Sequence, residues 1–159
     1  SVVGFSFCIL STVFCLLLIF TLGISLMIFG VGIDLVNIQR LETVLQRWGD
    51  RFVKRVFTDQ EAEFCFKRAH PASPLALRFA AKEAFAKAIG LGMRRGIRWR
   101  DIEVFHYPGG RPGLRLQGRS SEICREKQIT RFHLSLSDEG RYGMAVVVLE
   151  GNDEIGQSL

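Results

Sequence analysis

The fold depends most on the stretch Arg78-Phe79-Ala80-Ala81-Lys82-Glu83-Ala84-Phe85-Ala86-Lys87-Ala88. It predicts a helix, because alanines and aromatic residues recur at helical spacing around a compact group of charges. Ser73 followed by Pro74 is typical of an N-cap with proline at the first helical position, and the glycines at 90 and 92 mark the expected end. The charged group then lies near the middle of the helix.

Residues four apart lie on the same side of a helix, so Phe79, Glu83 and Lys87 are predicted to share one face. Arg78 and Lys82 are predicted to line a neighbouring face. A carboxylate among basic groups beside an apolar edge suits a metal ion that also meets phosphates. The same pattern also fits an ordinary Glu-Lys pair on a solvent-exposed helix, and this segment alone does not separate the two interpretations.

A second informative stretch is Met27-Ile28-Phe29-Gly30-Val31-Gly32-Ile33-Asp34-Leu35-Val36. It is a short apolar run with two glycines, and it closes on an acidic residue. The pattern predicts a buried strand that presents Asp34 at its end.

Together the two stretches resemble the signature of the holo-acyl-carrier-protein synthases, the short members of the phosphopantetheinyl transferase superfamily. The Gly-x-Asp pattern of that family is matched by Gly32-Ile33-Asp34, and its Phe-x-x-Lys-Glu-Ala pattern by Phe79-Ala80-Ala81-Lys82-Glu83-Ala84. The resemblance continues through Arg55-Val56-Phe57-Thr58, Gly110-Arg111-Pro112 and the last two strands, so it covers residues 27–150.

The resemblance implies an α+β fold with helices packed on a mostly antiparallel sheet. It also implies a transferase that uses magnesium. The 4'-phosphopantetheine arm of coenzyme A moves to a serine of an apo acyl carrier protein for fatty acid biosynthesis, and adenosine 3',5'-bisphosphate leaves. The short members are trimers with active sites between subunits, so a homotrimer in the cytoplasm is expected.

The resemblance also implies roles for particular residues. Asp34 and Glu83 match the magnesium ligands, and with Lys87, which would touch the coenzyme A phosphates, they form the expected catalytic set. Either Glu83 or a metal-bound water takes the serine proton. Gly110-Arg111-Pro112 matches a turn of the family near the adenosine of coenzyme A, with arginine where the family has lysine. The alternative interpretation is a hairpin turn without a role in binding.

The first helix after Asp34 carries Arg40 and Arg47, and Arg51 follows. In the family this helix meets an acidic helix of the carrier protein, which makes these arginines candidate partner-binding residues; a solvated basic face is the alternative. Asp138 departs from the family, because many relatives carry histidine there. Contacts of that histidine with the nucleotide phosphate are therefore not carried over to this chain.

The remaining pattern completes an α+β domain. Asn37 is a predicted N-cap for a helix over 37–47, and Thr58-Asp59-Gln60-Glu61 is a capping box for the next helix. Later segments predict a hairpin over 102–116, a helix over 118–127 and two strands over 132–138 and 142–149.

The composition favours an anionic partner. The chain has 159 residues and a formal net charge of +5, which suits nucleic acid, a membrane surface, a phosphorylated ligand or an acidic protein. A nucleic-acid-binding module without catalysis is the alternative function, suggested by Met93 to Arg100 with its arginines and one tryptophan. Single-strand binders usually present several stacking aromatics, so this support is thin.

The two ends of the chain are set apart from the domain. Residues 1–26 contain no charged residue and are long enough to span a bilayer. We interpret them as an upstream extension before Met27, with a signal or membrane anchor and a buried segment as alternatives, and a membrane partner only if the leader is real. The tail 151–159 is predicted to be disordered. Cys65 and Cys124 lie far apart in the body of the chain and are expected to be free thiols in a reducing compartment.

Overall fold

The structure is a computed structural model that describes residues 26–152. Strands and helices alternate irregularly along this part of the chain, with one short 3-10 helix at Trp99–Asp101. In chain order the elements are β1 (Leu26–Asn37), α1 (Ile38–Val56), α2 (Asp59–Phe66), α3 (Ala72–Ala88), β2 (Ile102–His106), β3 (Pro112–Leu116), α4 (Gly118–Glu126), β4 (Ile129–Glu139) and β5 (Tyr142–Asn152).

Helix α3 contributes residues to both apolar cores of the protein. β5 lies between β1 and β4 in a three-stranded antiparallel sheet, and β2 pairs with β3 in a separate hairpin. Ala84 and Phe85 of α3 pack with Val147 and Leu149 of β5 in one apolar core. A second core fills the space between α1, α2 and the first half of α3. The arrangement confirms the predicted α+β class.

Strand β1 approaches α3 unusually closely. Gly30, Gly32 and Asp34 alternate along the strand and therefore share one face. A Cβ atom added at Gly30 would lie 2.1 Å from the carbonyl oxygen of Ala88, and one added at Gly32 would lie 1.9 Å from that of Ala84. The two glycines let the strand backbone touch the helix backbone, and this contact brings Asp34 up to α3.

We expect Gly32→Ala to destabilise the protein, because the new methyl group can be accommodated only if β1 and α3 move apart. Overpacking of this kind costs about 2 kcal/mol, which lowers the melting temperature by about 5 °C or more. Gly143→Ala is the matched control, because its Cβ would meet chiefly the flexible side chain of Leu77, at 3.2 Å. Equal melting temperatures for the two variants would contradict the close backbone contact.

The predicted start of α3 is wrong. The helix begins at Ala72, directly after Pro71, and no side chain caps it. Ser73 therefore lies inside the first turn, and its hydroxyl donates to Asp138 Oδ2 of β4 at 2.8 Å. A partner distant in sequence has replaced the local capping contact that the sequence suggested.

Helix α1 is longer than predicted. Its N-cap is confirmed, since Asn37 Oδ1 accepts a hydrogen bond from the backbone of Arg40 at 3.0 Å. The helix does not stop at residue 47 but continues to Val56, with a break at Gly49, where φ is 47° and ψ is −131°. Only glycine adopts this backbone conformation readily, so Gly49 bends the helix instead of ending it.

The predictions for the chain ends fall almost entirely outside the described residues. Leu26 begins β1 and pairs with Asn152 at the end of β5. The predicted tail thus starts too early, because Gly151 and Asn152 belong to the sheet. Within residues 26–152, no helix is both long and apolar enough to cross a membrane.

Candidate active site

Asp34 and Lys87 form the first part of the site. Lys87 lies in the last turn of α3, and its Nζ donates to Asp34 Oδ1 at 2.7 Å and to the carbonyl oxygen of Ile33 at 3.0 Å. The Asp34 side chain is 15% exposed and that of Lys87 is 52% exposed. The lysine therefore orients the carboxylate while much of its own surface still faces solvent.

Glu83 lies one helical turn before Lys87 and is half-buried. Its pKa is raised, first by burial and then by the negative charge of Asp34, while Lys87 opposes the shift. The two carboxylates, one from β1 and one from α3, are thus close enough to repel each other. A cation bound between them would remove this repulsion.

These two carboxylates fit a magnesium ion that also binds substrate phosphates. Among residues 26–152 there is no group of three or more His, Cys, Asp or Glu side chains that could hold a metal ion. Magnesium usually takes one or two protein carboxylates and completes its shell with water and phosphate oxygens. Asp34 and Glu83 match that incomplete protein contribution.

Both carboxylates line a cavity of about 470 Å³ between β1, α1 and α3. Its other walls are largely apolar, and Arg40 stands at the rim. Sequence reasoning missed Phe52 and Tyr142, which also line it. Phe52 follows the bend at Gly49 and Tyr142 starts the last strand, so neither position shows any spacing relative to Asp34 or Glu83 that could have identified it.

The predicted coenzyme A turn lies elsewhere in the subunit. Gly110, Arg111 and Pro112 close the β2–β3 hairpin, where Gly110 has a φ of 88°. The guanidinium of Arg111 lies 4.3 Å from the centre of the Tyr107 ring. None of the three is among the described residues that line the cavity with Asp34 and Glu83, so the structure does not bring the turn and the carboxylates together within one chain.

The predicted partner-binding arginines are all exposed on α1. Of the three, Arg40 alone lines the cavity with Asp34 and Glu83. Arg47 lies over the ring of Trp48, which is 49% exposed, at 5.3 Å from the ring centre. Arg51 lies beyond the bend at Gly49 and is also exposed, and we call these three arginines the basic face of α1.

Arg78 and Lys82, which were predicted to line a face of α3 next to that of Glu83, are buried. Arg78 is 2% exposed and Lys82 is 0% exposed. Burial lowers the pKa of both groups. They point into the second core, away from Asp34, because α3 is covered on both sides and only part of its charged surface reaches solvent.

The tryptophan that suggested nucleic-acid binding is packed against the protein itself. Trp99 is half-buried and stacks on Phe79 with ring centres 4.8 Å apart. Arg100 donates to Asp59 Oδ1 at 3.0 Å and to the carbonyl oxygen of Lys54. The tryptophan and one arginine of this segment therefore serve the packing of the fold.

Comparison with known proteins shows the family to which the chain is similar. A model of the 4'-phosphopantetheinyl transferase superfamily matches residues 30–147. A holo-[acyl-carrier-protein] synthase of Syntrophus aciditrophicus (strain SB) is 50% identical over 125 residues, which are 79% of this chain and 98% of that protein.

Solved structures give the same result. The Neisseria meningitidis holo-[acyl-carrier-protein] synthase superposes with a TM-score of 0.72 at 38% identity, over 77% of this chain and 98% of that chain. The Helicobacter pylori synthase in complex with coenzyme A superposes with a TM-score of 0.67 at 30% identity, over 75% of this chain and 98% of that chain. The chain described here therefore belongs to the 4'-phosphopantetheinyl transferase superfamily and, within it, to the holo-[acyl-carrier-protein] synthases.

Proposed function

We propose that this protein transfers the 4'-phosphopantetheine group of coenzyme A to a serine of an apo acyl carrier protein. The observation that carries the proposal is the cavity in which Asp34 and Glu83 face each other beside Lys87. A solved relative that is 30% identical binds coenzyme A, as its description states. The product is the holo carrier protein, and we place the reaction in fatty acid biosynthesis in the cytoplasm.

The reaction exchanges one phosphorus–oxygen bond for another. The serine oxygen attacks the phosphorus that carries pantetheine, the bond to the other phosphate breaks, and adenosine 3',5'-bisphosphate leaves. Asp34 and Glu83 would hold magnesium, which when bound neutralises the pyrophosphate and polarises the phosphorus under attack. The protein must supply the remaining positive charge and a proton acceptor.

Lys87 supplies the positive charge. It is anchored by Asp34 and by the carbonyl oxygen of Ile33, yet its side chain is 52% exposed. An ammonium group held in this way can contact a phosphate oxygen of coenzyme A without first leaving its partner. Such preorganised charge stabilises the transition state more than a freely moving lysine would.

Glu83 is the proton acceptor that we propose for the serine hydroxyl, with a water molecule in the cavity as the alternative. In the metal-free protein, burial and the charge of Asp34 raise the pKa of Glu83. A cation held by the two carboxylates would oppose this shift, so the raised pKa describes the free protein and does not choose between the two acceptors.

The basic face of α1 is the proposed docking surface for the carrier protein. Arg40, Arg47 and Arg51 would meet acidic side chains and direct the carrier serine to the cavity rim. We expect Arg47→Glu with Arg51→Glu to raise the KM for the carrier about tenfold or more, and to weaken its dependence on salt. Arg125→Glu, an exposed residue of α4, is the control and should have little effect. An unchanged KM in the double variant would refute this surface.

We further propose that the protein is a homotrimer whose active sites lie between subunits. Along β1 the outward side chains of Val31, Ile33 and Leu35 are 59%, 55% and 60% exposed. In the register of the sheet, Val31 and Ile33 lie opposite Val148 and Val146 of β5. Such an apolar sheet face suits contact with further copies of the chain, and a neighbouring copy could bring its Gly110-Arg111-Pro112 turn to the carboxylates.

The test of function is the mass of a purified apo acyl carrier protein after incubation with the full chain, coenzyme A and magnesium. We expect the carrier to gain about 340 Da, the mass of one phosphopantetheine group, and the gain to disappear with a chelator. A gain that survives the chelator would refute the metal assignment alone. No gain with several acyl carrier proteins would refute the proposed reaction.

A further inference from the structure

A fully buried ion pair lies directly beside Glu83. Lys82 Nζ donates to Glu61 Oε2 at 2.7 Å, and both side chains are 0% exposed. The capping box predicted for α2 is confirmed, since Thr58 and Glu61 exchange hydrogen bonds. Glu61 nevertheless does more than cap its helix, because its carboxylate also binds a residue of α3.

Both partners of the pair are saturated with hydrogen bonds. Lys82 also donates to the carbonyl oxygens of Val56 and Trp99, each at 3.0 Å. Glu61 Oε1 accepts from the backbone of Val104, and Oε2 accepts from the backbone of Thr58, each at 2.9 Å. These backbone groups belong to the end of α1, the 3-10 helix, β2 and the start of α2. The pair therefore fastens α3 to four neighbouring segments at once.

Because Lys82 is next to Glu83 in α3, the ion pair can affect where the Glu83 carboxylate lies. Successive residues of a helix point about 100° apart, so Lys82 faces the second core while Glu83 faces Asp34. On the other flank, Lys87 binds Asp34 at 2.7 Å. Rotating a helix by about 10° moves a carboxylate at its surface by about 1 Å. Catalytic groups need placement to within about 0.5 Å, so even a small rotation matters.

A buried ion pair usually adds little to the free energy of unfolding. Removing two charges from water is costly, and apolar residues of similar volume often stabilise a protein as well or better. Its geometry, in contrast, is restrictive, because each hydrogen bond fixes both a distance and a direction. A saturated pair one residue from Glu83 therefore suits the positioning of that carboxylate.

We propose that Glu61 and Lys82 are positioning residues for the transfer reaction: their ion pair fixes the rotation of α3 and so sets the separation of the Glu83 and Asp34 carboxylates. This inference rests on the proposed assignment of Asp34 and Glu83 to the metal.

The test replaces both charges in the full chain, as Glu61→Gln with Lys82→Met. Removing both avoids leaving one unpaired buried charge, and the single carboxamide oxygen of glutamine can still accept one of the two hydrogen bonds from backbone N–H groups. We expect the folded variant to bind Mn²⁺, measured by electron paramagnetic resonance with coenzyme A and without carrier, about tenfold more weakly than the wild type. We also expect kcat to fall about tenfold, with the KM for the carrier unchanged.

Ile123→Val is the control for stability, because Ile123 is 2% exposed in α4, far along the chain from the pair. It should lower the melting temperature without changing Mn²⁺ affinity or kcat. A double variant that behaves like this control would overturn the positioning role. If the double variant does not fold, Lys82→Arg, which keeps both charges but changes the hydrogen-bond geometry, should still weaken Mn²⁺ binding, and an unchanged affinity would overturn the proposal. Absence of Mn²⁺ binding by the wild type would instead refute the metal assignment.

Discussion

We expect Glu83→Gln to lower the rate of phosphopantetheine transfer by about 10³-fold or more while leaving the protein folded. Loss of a metal carboxylate removes several kcal/mol of transition-state stabilisation, and each 1.4 kcal/mol is about tenfold in rate. The substitution keeps the shape of the side chain. Because burial and Asp34 raise the pKa of Glu83, its charge is unfavourable in the free protein. A neutral amide should therefore leave the melting temperature equal or slightly higher.

The measurement is the mass of the acyl carrier protein over time, with circular dichroism of the enzyme recorded in parallel. Glu63→Gln is the matched control, because Glu63 is an exposed residue of α2 that pairs only with Lys67 among the described residues. It should transfer at the wild-type rate. Asp34→Asn should be as inactive as Glu83→Gln but less stable, because Lys87 then loses its charged partner. Normal turnover by Glu83→Gln would rule out this residue as metal ligand and base.

The sequence was sufficient to predict the part of the site that depends on local periodicity. The apolar run with its two glycines predicted the strand that carries Asp34, and helical spacing put Glu83 and Lys87 on one face. What these patterns could not reveal is the closeness of the two backbones. That closeness follows from glycine on one side and alanine on the other, and it determines which carboxylates meet.

The errors arose where partners are distant in sequence. Ser73 looked like a cap, but it binds Asp138, sixty-five positions later. Lys82 was placed on the face of the helix next to that of Glu83 with no partner named, but its partner Glu61 lies twenty-one positions earlier. A helical projection assumes that one side of the helix is packed against the protein and that the other side faces solvent. Helix α3 is covered by the sheet on one side and by α1 and α2 on the other, so that assumption fails.

The exposed face of the large sheet raises a different question, because the strand over residues 27–36 was predicted to be buried. Val31 of β1 is 59% exposed. A monomer that leaves such a strand face in water is at risk of aggregation, whereas a closed trimer would cover it. This reasoning links the apolar pattern of β1 to the assembly and not only to the core.

We expect Val31→Lys to convert the proposed trimer into single chains and to reduce transfer to a small fraction of the wild-type rate. Val31 points away from α3, so its replacement should not disturb the packing of the monomer. At an interface, however, symmetry would bury the new ammonium group in every subunit without a partner, at a cost of several kcal/mol for each. Loss of the interface would also remove the neighbouring hairpin turn from the active site.

Light scattering during size-exclusion chromatography measures the number of chains, and the carrier mass assay measures transfer on the same samples. Phe66→Lys is the control, because Phe66 is 54% exposed at the end of α2, away from the sheet. It should remain trimeric and active, since Phe66 lies outside the proposed interface. A Val31→Lys protein that stays trimeric would exclude this sheet face as the interface, and a wild type that elutes as one chain would exclude the trimer. A monomeric variant with full activity would show instead that each subunit carries a complete active site, and that the hairpin of a neighbouring subunit is not required beside Asp34 and Glu83.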